Sequence, residues 1–269
     1  MGSSAVSNMT ASDFMSTDIL AVSPDDNAFD LGSSMERFHV GKAVVVSDLE
    51  FLGIVSKETF VAYMHKYPDT NIKELKVEDF MEADVCTAKP DESFESVVEL
   101  LMCQKSMIDC VPVLSSGKFK GLISSVDMTK YYLKNMDGKY KVSKLMHYNP
   151  LTVDDYTPLS EVIQAMRNMS EKRVLVMSGN TLVGIVTIKD MGLTIFKESA
   201  KKQGVSVKSE LTAGDVMTKE PIVARPKDDA AVAAGVMLKK KIGGLPVVSE
   251  KLEGLIDRMD LIKGIKLSF

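Results

Sequence analysis

The stretch Gly121-Leu-Ile-Ser-Ser-Val-Asp127 decides the fold, because its pattern of a glycine, two apolar residues and a polar cluster occurs four times in the chain. The other copies of this pattern are Gly53-Ile-Val-Ser56, Gly184-Ile-Val-Thr187 and Gly254-Leu-Ile-Asp257. An apolar residue followed by methionine opens each copy, at Phe14-Met15, Phe80-Met81, Leu145-Met146 and Val216-Met217. The period of about 65 to 70 residues uses nearly the whole chain, so function must lie in the repeat itself.

The second copy indicates the elements of one repeat. Residues 85–87 have the composition of a short strand, and Pro90-Asp91 is typical of a turn before a helix. Helical spacing then predicts a buried stripe formed by Phe94, Val97, Val98, Leu101 and Met102. Cys110-Val-Pro-Val-Leu114 and Gly121-Leu-Ile-Ser124 are two apolar strands, and a second helix begins at Ser124. The predicted order is strand, helix, strand, strand, helix.

Four such units are predicted, at residues 9–66, 74–136, 140–198 and 210–267. A unit of about 60 residues buries too little apolar surface to be stable alone, so the repeats should pair and share a core. Pairing would also create clefts between them. The Lys-rich segment at residues 199–209 is predicted to be the most flexible join.

Composition limits the classes of function. Hydrophobic residues make up 45% of the chain and charged residues 26%, which is typical of a soluble globular protein. A net charge of -4 gives no overall basic field, so nucleic-acid binding would depend on the local basic runs at residues 197–208 and 239–241. Cys86, Cys103 and Cys110 lack the spacing of a disulfide framework or a zinc site. No apolar run approaches the ~20 residues that span a bilayer, so we expect a soluble cytoplasmic protein without membrane contact.

The polar cluster that closes each copy has two interpretations. Ser124 with Asp127, and Thr187 with Asp190, have the spacing of a capping box that satisfies the first amides of a helix. The same geometry also suits a ligand, since a helix N-terminus attracts phosphate and an Asp one turn later can accept bonds from two neighbouring hydroxyls. A phosphorylated ribose has both groups. The recurrence of the same strand ending in all four copies favours a ligand, although the capping interpretation explains a single copy.

The repeated strand and closing motif resemble those of CBS domains, with two Bateman modules in one chain, over residues of about 9 to 267. The resemblance implies an α+β fold of four β-α-β-β-α repeats. It also implies adenosyl-ligand sites in the clefts, where Ser or Thr holds phosphate and Asp holds the ribose hydroxyls. The residues that match both positions are Ser124 with Asp127 and Thr187 with Asp190.

The first and last copies depart from the family pattern. Copy one has Ser56 at the phosphate position, but Thr59 stands where Asp is expected, which weakens its hold on ribose. Copy four has Asp260 at the ribose position, but Asp257 replaces the Ser or Thr. A carboxylate there would repel phosphate, so this site is expected to be empty or to take an uncharged or cationic adenosyl compound.

The resemblance implies a second set of contacts just before each apolar-Pro-Val strand, where backbone groups meet adenine and basic side chains reach phosphate. The adenine-proximal candidates are Ile108, Asp109 and Cys110 in copy two and Ile242 and Gly244 in copy four. The phosphate-binding candidates are Lys42, Lys172 and Arg173. Arg173 could bind two phosphate oxygens at once. The alternative for these cations is an ordinary solvent-exposed turn.

The leading hypothesis is therefore a non-enzymatic regulatory protein, an energy or metabolite sensor. It would bind AMP, ADP, ATP, S-adenosylmethionine or methylthioadenosine and act as a homodimer on an effector protein. His39, His65 and His147 have no ligand spacing, so neither a metal site nor catalysis is expected. The alternatives are a ligand-independent interaction scaffold with degenerate clefts, or nucleic-acid binding through the Lys-rich segments.

Overall fold

The four repeats form separate sets of helices and strands in the computed structural model. The structure describes residues 9–104, 108–201 and 211–269. Within these ranges it describes all side chains except those of residues 197–201. Residues 202–209 of the predicted flexible join, and the side chains of the basic run at 197–208, lie outside this description. Copy one contains α1 (Ala11–Phe14), β1 (Ala21–Val22), α2 (Ala28–Arg37), β2 (Lys42–Ser47), β3 (Glu50–Ser56) and α3 (Lys57–Lys66). Copy two contains α4 (Val77–Phe80), α5 (Phe94–Met102), β4 (Cys110–Ser115), β5 (Lys118–Ser124) and α6 (Ser125–Asn135).

The second half of the chain repeats the plan. Copy three contains α7 (Val142–Leu145), β6 (His147–Tyr148), β7 (Thr152–Asp154), α8 (Leu159–Asn168), β8 (Arg173–Ser178), β9 (Thr181–Thr187) and α9 (Ile188–Lys201). Copy four contains α10 (Ala213–Val216), β10 (Thr218–Lys219), α11 (Ala230–Lys239), β11 (Gly244–Val248), β12 (Leu252–Asp257) and α12 (Arg258–Lys266). The predicted α+β class is confirmed.

The first strand of the predicted repeat is incomplete in two copies. Residues 85–87 form no strand, and only Ala88 pairs in parallel with Val113. Copy four has the corresponding single bridge at Ala224. A proline lies two residues later in both copies, and because it has no N–H and a fixed φ it prevents the pairing from extending further along the chain. In copy two the backbone N–H and C=O of Cys86, before the bridge, bond with the side chain of Gln104 instead of a strand. Copy three, which has Asp155 at that position, forms the longest first strand.

The segment that opens each copy packs on the neighbouring copy. In the first half, Ala11 N donates to Glu92 O of copy two (2.8 Å), and Ser16 exchanges two backbone hydrogen bonds with Leu122. Copy two reciprocates, because Glu82 and Ile54 of copy one exchange hydrogen bonds of 2.8 and 2.9 Å. In the second half, β10 pairs with β9 and β6 pairs with β12. The repeats of each half are therefore linked by their opening segments, which we call the exchanged arms (residues 10–16, 77–82, 142–148 and 212–219).

The closing glycines make this exchange possible. A Cβ atom on Gly53 would lie 2.7 Å from Glu82 O, and one on Gly254 would lie 2.6 Å from His147 O. Gly121 and Gly184 are covered in the same way by the side chains of Met15 and Met217. The apolar-Met opening and the glycine of the closing motif are thus two sides of one contact between copies.

Sheets pair the copies within each half, and helices pair them between halves. One five-stranded sheet, in the order β1-β2-β3-β5-β4, joins copies one and two over a small apolar cluster that includes Val44, Ile54 and Cys110. The helices α3 and α9 share a core between copies one and three, and α6, α11 and α12 share another between copies two and four. These helix faces are covered within one chain, so the predicted homodimer would have to use another surface.

Candidate functional site

The β-hairpin of each copy brings the two predicted parts of a site together. The antiparallel register places Lys42 opposite Ser56, Cys110 opposite Ser124, Arg173 opposite Thr187 and Gly244 opposite Asp257. A tight turn at the far end of the hairpin sets this register. The candidate adenine-proximal or cationic residue and the candidate phosphate residue of a copy are therefore cross-strand neighbours at the mouth of the following helix.

Copies two and three have complete capping boxes. Asp127 Oδ2 accepts hydrogen bonds from Ser124 N (3.0 Å) and Ser124 Oγ (2.7 Å). Asp190 Oδ2 accepts from Thr187 N (2.9 Å) and Thr187 Oγ1 (2.6 Å). These bonds hold each carboxylate at the helix N-terminus. Because both boxes use Oδ2, a ligand hydroxyl approaching Oδ1 would leave the cap intact, so the capping and ligand interpretations are compatible. In copy two that hydroxyl would meet the exposed Lys130, whose Nζ donates to Asp127 Oδ1 (3.1 Å).

Copy one has a neutral version of the box. Thr59 N donates to Ser56 Oγ (3.2 Å), and Thr59 Oγ1 donates to Ser56 O (3.0 Å). Ser56 is 3% exposed. A hydroxyl at position 59 supplies fewer acceptor lone pairs than a carboxylate, which fits the predicted weaker hold on ribose.

In copy four the candidate ribose carboxylate already has a partner. Asp260 Oδ2 accepts from Asp257 N (2.9 Å) and lies 3.1 Å from His147 Nδ1, which belongs to the exchanged arm of copy three. Asp257 Oδ1 accepts from Met259 N (2.7 Å) and Asp260 N (3.0 Å). Burial raises the pKa of Asp260, which is 8% exposed. A sugar hydroxyl would therefore compete with an imidazole at this carboxylate.

The pair formed by His147 and Asp260 predicts a pH dependence of stability. The hydrogen bond to Asp260 raises the pKa of His147 above its ordinary value of 6.5, although burial opposes the shift. Because the folded-state pKa is the higher one, this stabilisation is complete below pH 6.5 and is lost as the pH rises through the folded-state pKa. We expect the free energy of unfolding to decline above pH 6.5, and this decline to shrink in His147→Gln. Denaturant titrations across this range would measure it, with His65→Gln as a control that retains the decline.

Predicted site residues from three copies meet at Asp109. Its carboxylate forms an ion pair with Lys42 of copy one, lies 3.8 Å from Lys172 Nζ of copy three and accepts from Ser125 Oγ. Burial alone would raise the pKa of Asp109, but the two lysines outweigh it and hold that pKa well below the ordinary range. Burial likewise opposes the positive form of Lys42, yet Asp109 raises the pKa of this lysine. Two candidate phosphate-binding cations are therefore paired with a side chain of the protein.

The third candidate cation is paired as well. Arg173 Nη1 forms an ion pair with Asp257 Oδ2, and the Arg173 side chain is 10% exposed. A Cβ atom on Gly243 would lie 2.6 Å from Arg173 Nη2, and one on Gly244 would lie 3.2 Å from Arg173 Nε. Arg258 Nη2 donates to Ile242 O (3.0 Å). An adenine ring over Ile242 and Gly244 would have to displace these groups.

The adenine-proximal candidates of copy two lie largely inside the sheet pair. Ile108 is 4% exposed and Cys110 is fully buried, both within the apolar cluster between copies one and two. Cys110 O accepts from Gln104 Nε2 (3.0 Å). Burial raises the pKa of the Cys110 thiol to about 11, which suppresses the reactive thiolate.

Sequence reasoning missed three polar side chains near these residues. Ser125 Oγ donates a hydrogen bond to the Asp109 carboxylate, and Arg258 donates one to the backbone carbonyl of Ile242, just before β11. The third is Lys57, which has the sequence context of an ordinary solvated charge, but whose pKa is lowered by burial and by Lys189 of copy three. The signal that could have found Lys57 and Arg258 is their place at the first position of a helix, where a positive charge is unfavourable without a nearby anion.

The basic run at residues 239–241 lies on the surface. Lys239, Lys240 and Lys241 are exposed at the end of α11, where cations favour the helix dipole. Among the described residues, no set of three or more His, Cys, Asp or Glu side chains forms a metal-binding cluster. Within the described ranges no helix has the length and apolar character required to cross a membrane.

Comparison with known proteins supplies the family and the overall similarity. The family model for the CBS domain matches residues 11–66, 77–134, 142–191 and 213–267. The uncharacterised protein MJ1404 of Methanocaldococcus jannaschii is 26% identical over 269 residues, covering 96% of this chain, and the chain spans 62% of that relative's length.

Two solved structures cover the chain almost completely. Protein MJ1225 of Methanocaldococcus jannaschii, described as a candidate archaeal homologue of g-AMPK, superposes with a TM-score of 0.86 at 19% identity, over 96% of this chain and 100% of that one. A conserved protein from Pyrococcus horikoshii gives a TM-score of 0.65 at 21% identity, again over 96% and 100% of the two chains. These similarities extend over all four repeats.

Proposed function

This chain belongs to the CBS domain family, and we propose that it is a non-enzymatic regulatory protein that binds an adenosyl ligand in the clefts between its paired repeats. The observation that carries the proposal is the pair of Ser/Thr and Asp side chains held at the helix N-termini of copies two and three. Ser124 lies opposite Cys110, and Thr187 lies opposite Arg173, at the first residue of the neighbouring strand. The arrangement offers helix amides and a hydroxyl to phosphate, and a carboxylate to ribose.

We propose that copies two and three provide the principal sites, through Ser124 with Asp127 and Thr187 with Asp190. Copy one has Ser56 without a carboxylate partner, and the candidate residues of copy four are engaged by His147 and Arg173. The sites are therefore expected to differ in affinity.

Regulation would follow from a difference in ligand affinity between two arrangements of the repeats. A ligand that contacts two paired repeats favours the arrangement in which both sets of contacts form, and only that differential affinity can move the equilibrium. An effector protein would then bind one arrangement in preference to the other. AMP, ADP and ATP would make the protein an energy sensor, whereas S-adenosylmethionine or methylthioadenosine would make it a sensor of another metabolite.

The proposal is tested by thermal unfolding of nucleotide-stripped protein with AMP, ADP, ATP, S-adenosylmethionine and methylthioadenosine. A ligand at a hundred times its dissociation constant should stabilise the protein by about 2.7 kcal/mol, which is a shift of a few degrees. A shift that requires phosphate would support copies two and three. A response to the sulfur compounds alone would favour copy four, because Asp257 disfavours phosphate. The absence of any shift would contradict the proposal and favour a ligand-independent scaffold.

A further inference from the structure

Asp109 has the surroundings of a bound anion. Its carboxylate contacts two ammonium groups and one hydroxyl, contributed by Lys42, Lys172 and Ser125 of three different copies. The side chains of Lys42, Lys172 and Asp109 are each 20 or 21% exposed. Ammonium and hydroxyl donors converging on one partly buried oxygen pair would serve a phosphate oxygen as well as a carboxylate.

The Asp109 carboxylate also lies beside both principal candidate sites. Along the chain, Asp109 precedes Cys110, which is paired across the hairpin with Ser124. Its partner Lys172 precedes Arg173, which is paired in the same way with Thr187. A ligand phosphate held at Ser124 or Thr187 would therefore be close to Lys42 and Lys172, the two lysines that pair with Asp109.

We propose that Asp109 is a specificity-determining residue that competes with ligand phosphate for Lys42 and Lys172. A phosphorylated ligand can use these lysines only by displacing the carboxylate, and it then meets a negative charge that has lost its partners. The protein should consequently gain little affinity from each further phosphate and accept adenosyl ligands with few phosphates. This inference rests on the proposed function, because it names which ligands of that function are preferred.

Asp109 can be changed without removing a helix cap. Its carboxylate is not part of the Ser124–Asp127 capping box, whereas Asp257, the other acidic member of these ion pairs, caps α12 through Oδ1. Asp109→Asn keeps the shape of the side chain and removes its charge. The variant therefore isolates the competition from the capping of α6.

The experiment compares dissociation constants for adenosine, AMP, ADP and ATP, measured by calorimetry at fixed ionic strength on nucleotide-stripped wild-type protein and Asp109→Asn. We expect the affinity for ADP and ATP to rise at least about tenfold in the variant, because two lysines become available to phosphate, while the affinity for adenosine changes by less than about twofold. Asp91→Asn removes a charge from an exposed position in the turn before α5. It is the matched control and should behave as wild type.

The outcomes separate this inference from the proposed function. If adenosyl ligands bind but the ratio of ATP to adenosine affinity is unchanged or falls in Asp109→Asn, the competition is refuted and the proposed function stands. If none of the four compounds or the sulfur compounds binds either protein, the proposed function itself fails.

Loss of the buried carboxylate could unfold the single variant, and the double variant Lys42→Met with Asp109→Asn covers that case. This variant removes one cation together with the anion. Lys172 then no longer pairs with a carboxylate at position 109. The ratio of ATP to adenosine affinity should still rise, by less than in a folded single variant. An unchanged ratio in the double variant would overturn the inference.

Discussion

Replacement of both Asp127 and Asp190 by alanine is expected to abolish binding of the adenosyl ligand identified in the unfolding assay. Each carboxylate would accept hydrogen bonds from ribose, and a hydrogen bond to a charged group contributes about 1.5 to 3 kcal/mol. Loss of one such bond at each site should weaken each site at least roughly tenfold, and loss of two should weaken it a hundredfold or more. Calorimetric titration of the double variant and of the two single variants would measure the effect site by site.

The matched controls for this prediction are the carboxylates of the exchanged arms. Asp13 accepts from Thr10 N (2.7 Å) and Thr10 Oγ1 (3.0 Å), and Asp215 accepts from Thr212 N and Thr212 Oγ1, both at 2.9 Å. These are capping boxes of the same kind on short helices outside the candidate sites. All four substitutions should cost about 1 kcal/mol of stability as lost caps, but only those at Asp127 and Asp190 should weaken binding. Equal ligand affinity in all four variants would contradict the assignment of the sites to Asp127 and Asp190.

Substitution of Gly53 by valine is expected to destabilise the protein by about 3 kcal/mol, since forced overpacking costs about 1 to 3 kcal/mol and backbone pairing is lost as well. The new Cβ would meet Glu82 O at 2.7 Å, and a backbone carbonyl in a paired segment has little room to move. The arm of copy two would have to leave Ile54, with which Glu82 exchanges two hydrogen bonds. Urea denaturation followed by circular dichroism would give the change in unfolding free energy.

Gly41→Val is the control for Gly53→Val, because a Cβ on Gly41 has no atom within 4 Å. This variant should be close to wild type in stability. Gly184→Ala gives a finer comparison, since its nearest atoms belong to the flexible side chain of Met217 and can shift. A Gly53→Val protein as stable as wild type would show that the exchanged arm does not depend on the closing glycine.

Much of each repeat could be predicted from local sequence. The hairpins, the capped helices and the buried stripe of α5 depend on residues a few positions apart, so periodicity and capping pairs indicate them directly. Residues 85–87 were wrongly predicted as a strand, because their composition suits a strand while the backbone N–H and C=O of Cys86 bond with the side chain of Gln104. Met102, the last residue of the predicted stripe, is 36% exposed at the end of α5, where the packing against the sheet ends.

The candidate site could be predicted only in part. Ser124 with Asp127 and Thr187 with Asp190 were identified because a capping pair lies within one turn of helix. The same pattern gave no indication that Lys42, Lys172 and Arg173 would be neutralised by Asp109 and Asp257. Asp109 precedes β4 and Asp257 ends β12, and each belongs to a different copy from the cations it pairs with, so their meeting depends on how whole repeats pack.

The amino-acid sequence by itself determined that there are four repeats, which elements each contains, and where a small polar residue and a carboxylate meet a helix N-terminus. These features follow from hydrogen bonds and apolar periodicity over short distances along the chain. Only the tertiary structure decided that copy one packs its helices on copy three and copy two on copy four, and that each opening arm crosses to its neighbour. Four copies with the same pattern offer many pairings that local rules cannot distinguish. Contacts such as Gly53 against Glu82 and Asp109 against Lys172 select among them, and they exist only once the copies have come together.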